Sequence, residues 1–247
     1  AQCLVGSEMC IRDSVVHLLD EGNTIPFIAR YRKELHGAMD DTSLRTLEER
    51  LQYLRGLEER REAVKKSIDE QGKLTDELTA AIDSAKTLAE VEDLYRPYKQ
   101  KRRTRATMAK EKGLEPLAAL LFAQERDCPR PEEAARDFVD PEKGVETVED
   151  ALQGASDIIA EQISDDAAIR KSLRALISRQ GQLVSRAATE DDSVYRLYYD
   201  FTQSVARLQG HQVLAINRGE KEGILKVSIT LDREQALPLL RRAVERD

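Results

Sequence analysis

Between Arg96 and Lys112 the chain places eight basic side chains (Arg96, Lys99, Lys101, Arg102, Arg103, Arg105, Lys110, Lys112) against one acid, Glu111, while the net charge of all 247 residues is −7. The chemistry open to such a run is electrostatic. It repels itself unless a polyanion or the protein's own carboxylates neutralise it. Phosphate contacts would fall to Lys99, Lys101, Arg102, Arg103 and Arg105, with Arg30, Arg32 and Lys33 as a second, smaller strip. Five engaged cations would make log K against log salt slope by roughly −3.5 to −4.5. Tyr95 and Tyr98 stand at the mouth of the cluster. A ring there can stack a base, worth ~1–3 kcal/mol, or pack on a neighbouring helix. The bland alternative for the whole run is a solvated loop paired with acidic helices.

Other chemistry is hard to find. There is no glycine-rich phosphate loop, nucleophile elbow or HExxH pair. His17, His36 and His211 are scattered, and Cys128 has no histidine near it in sequence. The acid pairs Asp40-Asp41, Asp165-Asp166 and Asp191-Asp192 fall at helix starts or in loops, where they complement the helix dipole. The expectation is a protein without catalytic residues, cofactor, metal or small-molecule substrate.

Composition agrees with a helical, charge-rich, soluble chain: 40% hydrophobic, 34% charged, 4% aromatic and no Trp. No apolar run approaches the roughly 18 residues of a membrane span, and the start carries no secretory signal. Three cysteines without metal or disulfide spacing fit a reducing cytoplasm. The first fourteen residues, AQCLVGSEMCIRDS, resemble translated sequencing-adapter read-through and are set apart as a non-native leader.

The elements that must hold the basic run are helices. Ordered structure is expected from Val15, with a stop at Gly22, and TIPFIARYRKEL reads as one helix capped by Thr24 with Ile25, Phe27 and Ile28 inward. Asp40 and Asp41 can cap a long helix whose stripe is Leu44, Leu47, Leu51, Leu54, Leu57, Val64 and Ile68. Some 28 residues of it would span about 42 Å. Thr75, and Thr87 with Glu90, start two short helices. Pro97 keeps Arg96 out of the helical region, so 96–103 reads as a connector. Thr104 then caps a helix to Lys112, closed by Gly113, and Glu115-Pro116 opens the next, a helix-turn-helix-like pair. Thr147 with Asp150 begins a helix with Ala151, Ala155, Ile158 and Ile163 inward, and another carries Ile169, Leu173, Leu176 and Ile177 to Gly181. Leu183–Ser185 and Ile224–Leu231 look like strands, with a helix over Gln203–Arg218 between them. The fold class is therefore mainly α: a multi-helix bundle with one long helix, helix-turn-helix-like elements and a small β element near the C-terminus. ALPLLRRAVERD starts a last helix without a closing cap, so the chain reads as truncated.

The order of these pieces resembles one family. TIPFIARYRKE, LEERLQYLRGLEERR, EQGKLTDEL, EDLYRPYKQKRRTRA, GLEPLA and GHQVLAINRGEKEGILKVSI are similar, in that order, to the N-terminal region of the bacterial transcription accessory protein Tex. Departures are small: Arg96 and Gln100 replace more neutral or proline-type residues, and Gly210 stands where serine is usual. The resemblance implies a cytoplasmic nucleic-acid-binding factor linked to transcription. It implies a helical N-terminal domain over 15–190 and, over 191–247, the start of a central region that stops before an RNase-H-like domain. The RNA-binding OB domain would also lie downstream. Two functions follow: a module that contacts RNA or DNA phosphates without sequence preference, or a scaffold that docks on RNA polymerase or another partner of the transcription machinery.

Overall fold

A computed structural model describes residues 8–37, 39–99, 102–189 and 193–246. Lys101, Asp191 and Asp192 lie outside the described residues, as does the start of the leader. The chain forms two compact units, Ala1–Glu92 and Asp93–Asp247.

Unit 1 is helical: α1 (Glu8–Asp20), α2 (Ile25–Tyr31), α3 (Lys33–His36), α4 (Asp41–Asp69), α5 (Asp76–Ser84) and the start of α6 (Leu88–Tyr95). α1 begins at Glu8, earlier than Val15, because residues 8–14 contain neither Gly nor Pro to stop the helix running back from its apolar face. Ile11 lies against Gly37, where an added Cβ would sit 2.5 Å from its Cδ1. Val15, Leu18, Ile25, Ile28 and Leu44 form the core of α1, α2 and α4.

The segment expected as one helix is broken at Arg32 (φ −128°, ψ 35°) into α2 and α3. An unbroken helix continuing the Ile25–Ile28 face would turn Arg32 and Leu35 inward. The break leaves Arg32 exposed and buries His36 instead. Thr24 occupies the N-cap of α2, but its hydroxyl accepts no cap bond. Phe27, expected in the core, is 36% exposed.

α4 is the long helix, 29 residues, capped by Asp40, whose carboxylate accepts from Ser43 N–H at 2.8 Å. Leu44, Leu57, Val64 and Ile68 of its stripe are buried, while Leu54 is 44% exposed. Its charged face does more than pair along the helix. Arg60 reaches Glu92 (2.5 Å), Lys65 reaches Asp83 (2.9 Å) and Arg61 donates to Ala85 O (2.6 Å), so α5 and α6 are laced to it by cations.

Unit 2 is built around α10 (Val148–Asp165), with α7 (Arg105–Glu111), α8 (Glu115–Ala123) and α9 (Pro131–Arg136) packed on it. The interface is alanine-rich, with Ala106, Ala109, Ala118, Ala134, Ala135, Ala151 and Ala155 joining Leu114, Leu117, Val145 and Ile158. Small residues let the helix axes come close. At Gly154 an added Cβ would sit 2.3 Å from Leu114 Cδ1 and 3.3 Å from Ala109 Cβ. α10 opens on a capping box, in which Thr147 and Asp150 each accept the other's backbone N–H at 3.1 Å.

α11 (Ala167–Gln180) leads into a three-stranded antiparallel sheet of order β2-β1-β3, from β1 (Gln182–Ala187), β2 (Asp200–Ser204) and β3 (Leu225–Thr230), with α12 (Gly210–Lys221) and α13 (Arg233–Val244) completing the unit. The helix expected over 203–218 begins only at Gly210. Gln203 pairs with Leu183 in β2, and Val205–Arg207 is a 3-10 turn. The apolar spacing of Val205 and Leu208 imitates a helix, but pairing with a strand twenty residues away is not a local property of the sequence.

Candidate nucleic-acid interface

The basic segment is pinned at both ends to α10 and α11. α6 ends at Tyr95, and Arg96–Tyr98 form a 3-10 turn rather than an open connector, with Lys99 N–H returning to Tyr95 O at 3.1 Å before the chain extends. Just upstream, Asp93, 4% exposed, accepts from Arg170 Nε and Arg174 Nη2, both at 2.7 Å. Arg96 Nε donates to Asp165 Oδ1 at 2.9 Å, and that carboxylate is also buried. Downstream, Thr104 Oγ1 accepts from Thr107 N–H and donates to Glu161 Oε1, each at 3.1 Å. A buried carboxylate needs such partners, since unpaired it would carry an uncompensated desolvation cost.

Between these anchors the cations divide. Lys99, Arg102 and Arg105 are exposed, and none forms an ion pair among the described residues. Arg103 is exposed too, but its Nη2 lies 2.7 Å from Glu111 Oε2. Lys110 is 3.6 Å from Glu115, and Lys112 Nζ donates to Gly144 O at 2.7 Å. Arg105 sits at the first position of α7, where a cation opposes the helix dipole. A groove of about 470 Å³ beside the segment is lined by Lys99 and Lys110 and also by Glu161, Asp165 and Asp166. The positive surface is thus narrower than the eight basic residues imply, and it borders acidic side chains. Tyr95 and Tyr98 are half-buried.

α7 and α8 both pack on α10, as in a bundle. α8 carries no Lys or Arg, so the cations of this pair lie on α7 and the stretch before it.

The second strip lies in unit 1, on α2 and α3. Arg30, Arg32 and Lys33 are all exposed, with no ion pair among the described residues. The Arg30 guanidinium lies 6.0 Å over the Tyr31 ring and that of Arg32 5.6 Å over Phe27, and the two rings are 5.3 Å apart. This aromatic pair was missed in sequence. Its signal was the i,i+4 spacing of Phe27 and Tyr31, with Arg30 between them and Arg32 just after.

Other titratable groups have structural positions. Asp166 caps α11 by accepting from Ile169 N–H at 2.8 Å. Tyr195, buried, donates to Glu222 Oε1 at 3.0 Å; burial first, then that bond, pushes its phenol above the ordinary range. Among the described residues no group of three or more His, Cys, Asp or Glu converges as a metal site. No helix among them is long and apolar enough to cross a membrane.

What the architecture defines is a mainly α protein of two compact units, with a small antiparallel sheet in the second. The profile of the Tex-like protein N-terminal domain matches residues 8–69, and that of the Tex central region matches 127–245. The chain belongs to the Tex-like family of transcription accessory proteins. It is 48% identical over 223 residues to protein YhgF of Escherichia coli K12, covering 89% of this chain and 29% of that protein. It is 44% identical over 222 residues to transcriptional accessory protein Tex of Neisseria gonorrhoeae, covering 88% and 28%. With S1 RNA-binding domain-containing protein 1 of Homo sapiens the identity is 31% over 229 residues, covering 88% and 22%. The chain therefore spans less than a third of the length of these relatives.

Proposed function

We propose that this segment is a nucleic-acid-binding helical module of a Tex-like transcription accessory factor, without catalytic activity, that contacts RNA or DNA phosphates regardless of sequence in the cytoplasm. The observation that carries the reading is the selective pairing of the basic run. Arg96, Arg103, Lys110 and Lys112 have partners within the protein, while Lys99, Arg102 and Arg105 face solvent without one among the described residues. Three such cations on phosphate would give a salt slope of roughly −2 to −3. The family's link to transcription and the RNA-binding name of the human relative support the same reading.

A second reading, docking on RNA polymerase or another protein of the transcription machinery, is favoured by one feature. Glu161, Asp165 and Asp166 line the groove next to Lys99 and Lys110, a mixed-charge surface better matched to a protein than to a polyanion. Reversing Arg102 and Arg103 to Glu separates the two. Weakened binding of single- and double-stranded RNA and DNA across a salt series supports the first. A polymerase pulldown that survives nuclease but not charge reversal supports the second, and unchanged nucleic-acid binding at low salt removes the phosphate site.

A further inference from the structure

We infer that unit 1 carries its own single-strand site: Phe27 and Tyr31 on α2 form a base-stacking platform, and Arg30, Arg32 and Lys33 hold the phosphates beside it. The site rests on the nucleic-acid reading above but uses different residues in a different unit.

Four observations converge on α2. Tyr31 is 58% exposed and Phe27 36%, although both are rings on a short helix whose two isoleucines, Ile25 and Ile28, are 3% and 0% exposed. The two rings touch, 5.3 Å apart and inclined at 45°, so they form one continuous aromatic surface. Guanidinium groups lie over both rings, at 6.0 and 5.6 Å. Arg30, Arg32 and Lys33 have no ion pair among the described residues, in a chain with 46 acidic residues against 39 Lys and Arg.

The chemistry follows. An exposed ring stacks a nucleobase whose own partner stack has been removed, as in a single strand, and every base offers such a face. A guanidinium resting on a ring can slide to an adjacent phosphate while the base takes its place, so the two contacts are made by neighbouring residues of one helix turn. A purely apolar protein partner fits less well, because it would have to cover two guanidinium groups that form no ion pair among the described residues. The break at Arg32 serves this arrangement: it keeps that residue at the surface, over Phe27, instead of on the inward stripe. Duplexes present phosphates but no free base faces, so only the cations would engage them.

The chain contains no tryptophan, so a Tyr31→Trp variant has one indole and reports on this position alone. We expect its emission to be quenched by a twelve-nucleotide single-stranded RNA, and neither by the matching duplex nor by inorganic polyphosphate. Tyr31→Leu, which keeps apolar bulk but loses the π face, should weaken single-strand binding about 5- to 150-fold per base stacked. Its salt slope should stay unchanged, because no phosphate contact is lost. If Tyr31→Leu binds single strands as the unmodified chain does while Arg102→Glu weakens them, the platform is wrong and the phosphate reading stands. If polyphosphate quenches Tyr31→Trp as RNA does, the site is a cation cluster without stacking and the inference is overturned. If the unmodified chain binds no single strand at low salt, this inference and the phosphate reading fall together.

Discussion

Glu111 is the residue through which the phosphate reading can be tested by a gain rather than a loss. Its carboxylate lies 2.7 Å from Arg103, and both side chains are more than half exposed, at 69% for Arg103 and 52% for Glu111. An exposed pair of this kind is worth about 0.2–1 kcal/mol, and a phosphate must displace it before Arg103 can contribute. Glu111→Gln removes that competitor along with one negative charge beside the site. Affinity for a short duplex or single strand should therefore rise about 1.4- to 5-fold at low salt. The steeper signature is in the salt series, because one additional engaged cation adds roughly 0.7 to 0.9 to the magnitude of the slope. Fluorescence anisotropy at four or five salt concentrations, on the whole chain, measures both quantities. Arg102 has no such partner among the described residues, so Arg102→Glu should weaken binding more than Arg103→Glu does. If Glu111→Gln leaves slope and affinity unchanged while Arg102→Glu weakens binding, Arg103 is not a phosphate contact. Equal effects of the two reversals would show that the Glu111 pair does not govern access.

Three further outcomes concern the scaffold. Asp93→Asn should destabilise unit 2 by about 1–3 kcal/mol, since it takes the charge from a buried acceptor of two partly exposed arginines, Arg170 and Arg174, and a denaturant midpoint within error of the unmodified chain would refute the clamp. His36 is 2% exposed and neither ring nitrogen has a hydrogen-bond partner among the described residues, so His36→Leu should stabilise unit 1 by about 1 kcal/mol, where a drop in its Tm would show that the imidazole is satisfied after all. The Tyr195 phenol is held above its unfolded value near 10, so its contribution is whole below that pH and is lost as pH rises through the folded value. The urea midpoint of unit 2 between about pH 8 and 11 should fall less steeply for Tyr195→Phe than for the unmodified chain.

The parts of the molecule that were legible in sequence are those set within a few residues. Asp40, Thr75, Thr104 and Thr147 all cap the helices assigned to them, because a side-chain oxygen three residues before an orphan N–H is a local pattern. The α4 stripe was legible for the same reason. What stayed hidden depends on distant partners. Arg96 counts toward the basic run in sequence, yet its charge is committed to Asp165, 69 residues on. Asp165 looked like half of a capping pair; only Asp166 caps, and its neighbour is turned inward. Of the proposed phosphate contacts, exposure could be guessed, but Arg103's tie to Glu111 needed the turn of α7 to fold it back. The break at Arg32 has no Gly or Pro to announce it. It resolves a conflict between the helical period and the burial of a charge.

Gly154 connects the scaffold to the surface in a way that mutation would expose. The side of α10 that meets Leu114 and Ala109 has room for a hydrogen and not for a methyl. Leu114 ends the turn after α7, the helix whose first residue is Arg105 and whose cap is Thr104. A Gly154→Ala change alters no charge and lies more than forty positions beyond Lys112, yet it would force the Leu114 side chain to move and press on Ala109 of α7, the helix that carries the cations. The alignment of the charged face therefore depends on an interior position as well as on the lysines and arginines themselves.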